Sequence, residues 1–182
     1  MREELEIALQ ERFSFLKRPD LESMRTREYE PIAGFSTYDN WGTEIPDGWF
    51  DLVVALFSEI EELYKKEGVA PDYKLEQIKE KFGTLRVYGH RKGRTQGIPA
   101  IDNVATGESL RLHSKEVDPL TASINDIIRK YEELSKVTCE GCGVQSEDVK
   151  LRNEPPVFRW VTTLCDSCMK ERVERYSKNI WS

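Results

Sequence analysis

The chain has 182 residues, with 27 lysines and arginines against 33 aspartates and glutamates, a formal net charge of −6 and a pI near 5.2. That balance argues against broad binding to nucleic acid or to anionic membranes, which requires a net basic surface. A charged N-terminal stretch in place of an apolar leader, and no apolar run long enough to span a bilayer, give the expectation of a globular cytoplasmic protein.

In chain order, Leu5, Ala8, Leu9, Arg12, Phe13 and Leu16 form the stripe of a first helix that stops before Pro19, with Glu3, Glu4 and Glu6 near its positive end. The stretch from Arg18 to Pro46 has little periodicity but carries Tyr29, Phe35, Tyr38 and Trp41. Such an aromatic loop is either a covering layer or part of a binding surface, and burial is the commoner use of these side chains. Asp47 is placed to cap a second helix, in which Phe50, Val53, Val54, Phe57, Ile60 and Tyr64 share a face and Gly68 with Pro71 ends the element. A third helix starts at the cap Asp118 with Pro119 in its first turn, and turns Leu120, Ile124, Ile127, Ile128, Tyr131 and Leu134 inward.

Between the last two helices, 73–81 and 84–88 read as two strands joined at Phe82-Gly83. A two-residue turn sets Lys79 against Arg86 and Ile78 against Val87; like charges across a ladder would then call for an acid or an anion nearby. A three-residue turn sets Ile78 against Arg86 and needs no ligand. A basic loop from Gly89 to Arg94 follows, and 101–112 is either a small hairpin or a loop. From Lys74 to Arg94 seven cations face two carboxylates, so this stretch carries +5 in a chain of net −6. The plain account is a solvated face. The sharper one is an anion or partner site built from Lys79, Lys81, Arg86, Tyr88, Arg91, Lys92 and Arg94, for a phosphate, a nucleotide or an acidic protein surface.

The four cysteines, Cys139, Cys142, Cys165 and Cys168, stand as two C-x-x-C pairs, a spacing that points to a tetrahedral Zn²⁺ site. Disulfides, a redox pair and iron–sulfur ligation are the alternatives; a cytoplasmic setting disfavours the first, and two complementary pairs disfavour the second. A knuckle at Cys139, strands over 149–152 and 157–164, then a helix bearing Met169, Val173, Tyr176 and Ile180 on one face is the order of a treble clef, with a zinc ribbon as the other reading. Four thiolates leave no open metal position, so the expected role of the zinc is structural.

Neither His90 nor His113 falls in a Ser/His/Asp, HEXXH or Gly-rich phosphate motif, and no histidine lies between Cys139 and Ser182 to serve a His-Asn-His nuclease. No catalytic residue is assigned. An acid-pair hydrolase is the enzymatic alternative.

Asp47-Gly48-Trp49-Phe50, the run from Ile78 to Tyr88 with its K-E-K-F-G-x-L-R-x-Y core, Cys139-Glu140-Gly141-Cys142-Gly143 and Thr163-Leu164-Cys165-Asp166-Ser167-Cys168 together resemble a family of small proteins of bacteriophages, prophages and bacteria. The resemblance covers roughly residues 45–175. It implies an origin and carries over no catalytic residue; this chain departs from the pattern in its N-terminal helix and in a longer insert over 89–116. The expectation is an α+β fold, with three helices on a small antiparallel hairpin sheet over 1–136 and a four-cysteine zinc module over 137–182. The expected role is a non-enzymatic binding or inhibitory protein acting on a host protein. Capture of a small anionic ligand, such as a signalling nucleotide, and nucleic-acid binding are the alternatives, the latter disfavoured by the acidity.

Overall fold

The computed structural model describes residues 1–24, 30–93, 98–102, 109–112, 117–153 and 161–180. Within them the chain forms α1 (Glu3–Arg12), α2 (Thr37–Trp41), β1 (Thr43–Glu44), α3 (Phe50–Glu67), β2 (Tyr73–Lys81), β3 (Thr84–Arg91), β4 (Ile98–Asp102), β5 (Ser109–Leu112), α4 (Pro119–Ser135), β6 (Lys150–Arg152), β7 (Thr162–Leu164) and α5 (Asp166–Ile180). The α+β class holds, but the three helices and one hairpin sheet expected become five α-helices and three small sheets among the described residues. Expectations placed on Tyr29, Arg94, His113 and 157–160 lie outside those residues. No helix among them is long and apolar enough to cross a membrane.

The first cluster of buried residues gathers Leu9, Phe13 and Leu16 with Trp49, Phe57 and Ile60 of the α3 region, Ile78 and Val87 of the sheet, and Ile124 and Ile128 of α4. The expected stripe of the first helix is buried at Leu9, Phe13 and Leu16, but the helix itself ends at Arg12. Phe13 is extended and Ser14–Leu16 forms a 3-10 turn, which lets the Phe13 ring pack 6.0 Å from Phe57. Of the aromatic loop's residues, Tyr38 is buried and its hydroxyl donates to the Leu16 carbonyl, while Phe35 and Trp41 are half-buried. The loop also holds α2, started by a capping box in which Ser36 and Asp39 each accept the other's backbone N–H. At α3 the expected cap is corrected. Asp47 lies in a 3-10 turn and accepts the backbone N–H and the guanidinium of Arg2, while Gly68 closes the helix in the left-handed conformation as its position suggests. Asp118 does cap α4, accepting from the Thr121 N–H, with Pro119 as the first helical residue.

The main sheet has the order β1-β2-β3, parallel at the first pair and antiparallel at the second. Its outer strands present backbone groups that need partners, and helix-borne side chains supply them. On the β1 side, Glu6 of α1 accepts the Thr43 N–H at 3.1 Å. On the β3 side, Ser135 and Glu132 of α4 accept the N–H groups of Leu85 and Val87 at 2.9 and 3.0 Å. Both acceptors on α4 are buried, which explains two polar residues on a helix face otherwise turned to the core.

The hairpin takes the two-residue register. Lys79 faces Arg86, Ile78 faces Val87, and Phe82 and Gly83 both have positive φ, +54° and +71°, as a primed turn requires. The like charges part within the protein itself: the Lys79 ammonium lies 5.6 Å from the Tyr88 ring centre, and Arg86 is buried with Nη1 on the Leu85 carbonyl. β3 also runs on through Gly89, His90 and Arg91, where a loop was expected, and β4 pairs with β5, so the open choice over 101–112 resolves as a hairpin.

Arg91 is the bolt between strand and helix. Its Nε and Nη2 hold Asp72 at 2.8 and 3.0 Å, its Nη1 reaches the α4 cap Asp118 at 2.8 Å, and Tyr64 donates to Asp72 at 2.7 Å. Partial burial would raise the Asp72 carboxyl, but the bonds from Arg91 and Tyr64 prevail and hold it below the ordinary carboxylate range. Its contribution is therefore complete above the unfolded-state value near 4 and is lost as pH falls through the depressed folded-state value. Replacing Arg91→Met should cost about 1–3 kcal/mol in urea denaturation at neutral pH and flatten the acid limb below pH about 4.

Candidate metal centre

The segment after α4 opens with a knuckle. The Cys139 N–H donates to the Val144 carbonyl, the Gly143 N–H returns to the Cys139 carbonyl, and Gly143 takes a φ of +77° to close the loop. β6 and β7 then pair as an antiparallel hairpin, β7 delivers Cys165, and Cys168 sits in the first turn of α5. Arg152, buried at the end of β6, fixes this order: Nε donates to the Leu164 carbonyl, and Nη2 donates to the Asp148 carbonyl and to the side chain of Asp166, the first residue of α5.

The four Sγ atoms come within 4.8 Å of one another. Four sulfurs each about 2.3 Å from one Zn²⁺ stand about 3.8 Å apart at the corners of a tetrahedron, and the Cys142 and Cys165 sulfurs are 3.8 Å apart. Bridged sulfurs would be about 2.05 Å apart; all four cysteines are free thiols. Burial would raise the Cys139 thiol, yet the N–H groups of Cys165, Cys142 and Gly141 directed at its sulfur outweigh that and draw it down to about 7. Cys165 and Cys168 are pushed up, by burial first and then by crowding with the other thiols. Four thiolates this close coexist only around a cation, so the donor set and its spacing fit one metal ion.

Cys139 and Cys165 are buried with Val149 and Leu164 in a second small cluster, separate from the main core. What joins the clusters is a seam of close backbone approaches. A β-carbon on Gly48 would lie 2.5 Å from the Cys139 carbonyl oxygen and 2.6 Å from that of Glu140. The Gly48 N–H donates to the Glu140 carbonyl at 3.1 Å, and the Trp49 indole N–H donates to the Thr138 carbonyl at 2.9 Å. At the other end, a β-carbon on Gly83 would strike the Leu151 side chain and lie 2.8 Å from Thr163 Oγ1, which donates to the Gly83 carbonyl at 2.7 Å. Between the two, the half-buried Glu140 carboxylate accepts from Thr162 Oγ1 and the Thr163 N–H.

The Asp-Gly-Trp and Phe-Gly motifs thus meet the cysteine segment, a role that sequence reasoning missed because their partners lie 80 and 89 residues away. The described residues expected to form the basic site share the β2–β3 hairpin and its end but have different engagements. Arg86 is buried, Arg91 is committed to Asp72 and Asp118, Lys79 lies over Tyr88, Lys81 lies over Phe82 at 5.5 Å, and Lys92 is exposed. His90 stands on β3 with Nδ1 3.5 Å from Glu76, not in a loop. Compared with protein-family models, curated proteins and solved structures, the chain finds no match.

Because the atoms opposing Gly48 are backbone oxygens, Gly48→Ala should separate the seam without touching a thiol. Metal retention against a chelator should fall and protease cleavage within 137–153 should accelerate, both read on the purified protein. Gly83→Ala, which adds a left-handed strain of about 1–3 kcal/mol to its clash, should lower the melting temperature as well.

Proposed function

We propose that Cys139, Cys142, Cys165 and Cys168 hold one structural Zn²⁺ in a treble-clef arrangement, and that the chain acts without catalysis as a protein-binding module. The observation that carries the metal reading is the set of four sulfurs at single-ion spacing. Four protein thiolates fill a tetrahedral ion and leave no position for water or substrate. A multi-iron cluster, which spreads its cysteines around several metals, suits that spacing less well, and the knuckle, hairpin and helix order supports the treble clef over the ribbon.

The protein-binding reading rests on where apolar side chains reach solvent. Val137, Val144, Leu151 and Tyr176, all in the cysteine segment, account for four of the seven large hydrophobic residues exposed among the described residues. Nucleic acid fits less well, since the burial of Arg86 and the pairing of Arg91 reduce the cations that the hairpin offers to phosphates. The family resemblance adds the rest of the proposal: a bacteriophage-derived accessory protein in the cytoplasm of its host, directed at a host protein such as a defence factor.

Metal analysis of the purified protein should return close to one zinc per chain, without the visible absorption of an iron–sulfur cluster, and Cys165→Ser should lower that content. Tagged protein incubated with host extract should retain a protein partner through washes at high salt, and Val144→Glu with Tyr176→Glu should release it. Retention of nucleic acid that declines steeply with salt would instead support the alternative.

A further inference from the structure

A cleft of about 320 Å³ opens between the 3-10 turn Ser14–Leu16, the start of α2 and the start of β2. Three lysines from separate parts of the chain line it: Lys17 after the 3-10 turn, Lys74 on β2, and Lys92 beyond β3. They converge only in the fold, so the cluster differs from a run of charge along one solvated face. The single carboxylate in the lining is Asp39, whose Oδ2 already accepts the Ser36 N–H of the α2 capping box. Lys74 is held 4.0 Å from that carboxylate and 3.4 Å from Glu76. Among the described residues neither Lys17 nor Lys92 has an ion-pair partner. Tyr73 and Leu75, both buried, back the cleft, and the half-buried Phe15 ring borders it.

From this convergence we infer that the cleft is a binding site for a small phosphorylated compound of mononucleotide size or less. Three lysines against Asp39 give the lining +2, which Glu76 beside Lys74 lowers to +1, with Lys17 and Lys92 contributing the unpaired charge. A phosphate monoester carries about −1.5 to −2 at neutral pH and accepts hydrogen bonds on three oxygens, so it can take up the two unpaired ammonium groups together. The volume stands at the low end of the roughly 300–1,000 Å³ of small-molecule pockets, and the Phe15 ring offers the organic part of the ligand one apolar contact. In a chain of net −6, a local cationic cleft also concentrates anions that the remaining surface repels. The site is distinct from the metal centre and does not depend on the zinc reading.

Titration calorimetry of the full chain, carrying its metal, against inorganic phosphate, pyrophosphate, ribose 5-phosphate and adenosine monophosphate, with adenosine as the uncharged control, tests the inference. At least one phosphorylated probe should bind one-to-one, with affinity that falls as salt rises. Lys17→Ala with Lys92→Ala, both exposed and so neutral to folding, should weaken that binding at least tenfold at an unchanged melting temperature, and Lys74→Ala should weaken it further. The inference is overturned if no phosphorylated probe saturates, if adenosine binds as well as its monophosphate, if only single-stranded RNA is retained, or if the lysine substitutions leave affinity unchanged.

Discussion

Two glycines without room for a side chain decide how this molecule is assembled. Gly48 backs onto the carbonyl oxygens of Cys139 and Glu140, and Gly83 backs onto the side chains of Leu151 and Thr163, so the described part of the cysteine segment meets the main core where the backbone of two glycines allows close approach. Contacts of that kind are short, directional and intolerant of displacement. They hold only while the knuckle and the β6–β7 hairpin keep their shapes. Among the described residues of that segment the buried cluster is small, Cys139, Val149, Leu164 and Cys165 with Cys168 and Met169 packed against it. The metal ion proposed for the four sulfurs would add its binding free energy to that small cluster.

The coupling runs the other way too. The Trp49 indole, buried at the head of α3, donates to the Thr138 carbonyl, and the Gly83 carbonyl of the hairpin turn accepts from Thr163. Loss of the cysteine segment would exchange both bonds for bonds to water, each a net loss of about 0.5–1.5 kcal/mol. The same logic closes the main sheet, where Glu6, Ser135 and Glu132 satisfy edge N–H groups that would otherwise face water or another chain. Polar groups at element boundaries complete the joints between parts that the main apolar cluster already packs together.

Much of this was legible in the sequence. The cysteine spacing points to the four-sulfur cluster, the apolar stripes locate α3 and α4, Asp118-Pro119 marks the start of α4, and Phe82-Gly83 marks the turn. These signals are local, and local chemistry produces them. The misses share the opposite character. Asp47 has the residue type of a cap, but Arg2 approaches from 45 residues away and claims it. Arg86 reads as a surface cation because a sequence does not show what covers a strand face. β1 is two residues long and parallel, too short for any alternation to register. The α2 helix is a different case. Its capping pair, Ser36 and Asp39, stood in plain view within a stretch treated as loop because it lacked an apolar period.

Hydrogen exchange with and without a metal chelator bears most directly on the claim that one ion and one seam form a single unit. Removing the metal should raise exchange at the Glu140 and Thr163 amides and, in the same step, at the Gly48 amide, which lies outside the cysteine segment and bonds to Glu140. If the amides over 139–168 lose protection while Gly48 keeps its own, or if chelation changes neither, the coupling between clasp and core is contradicted.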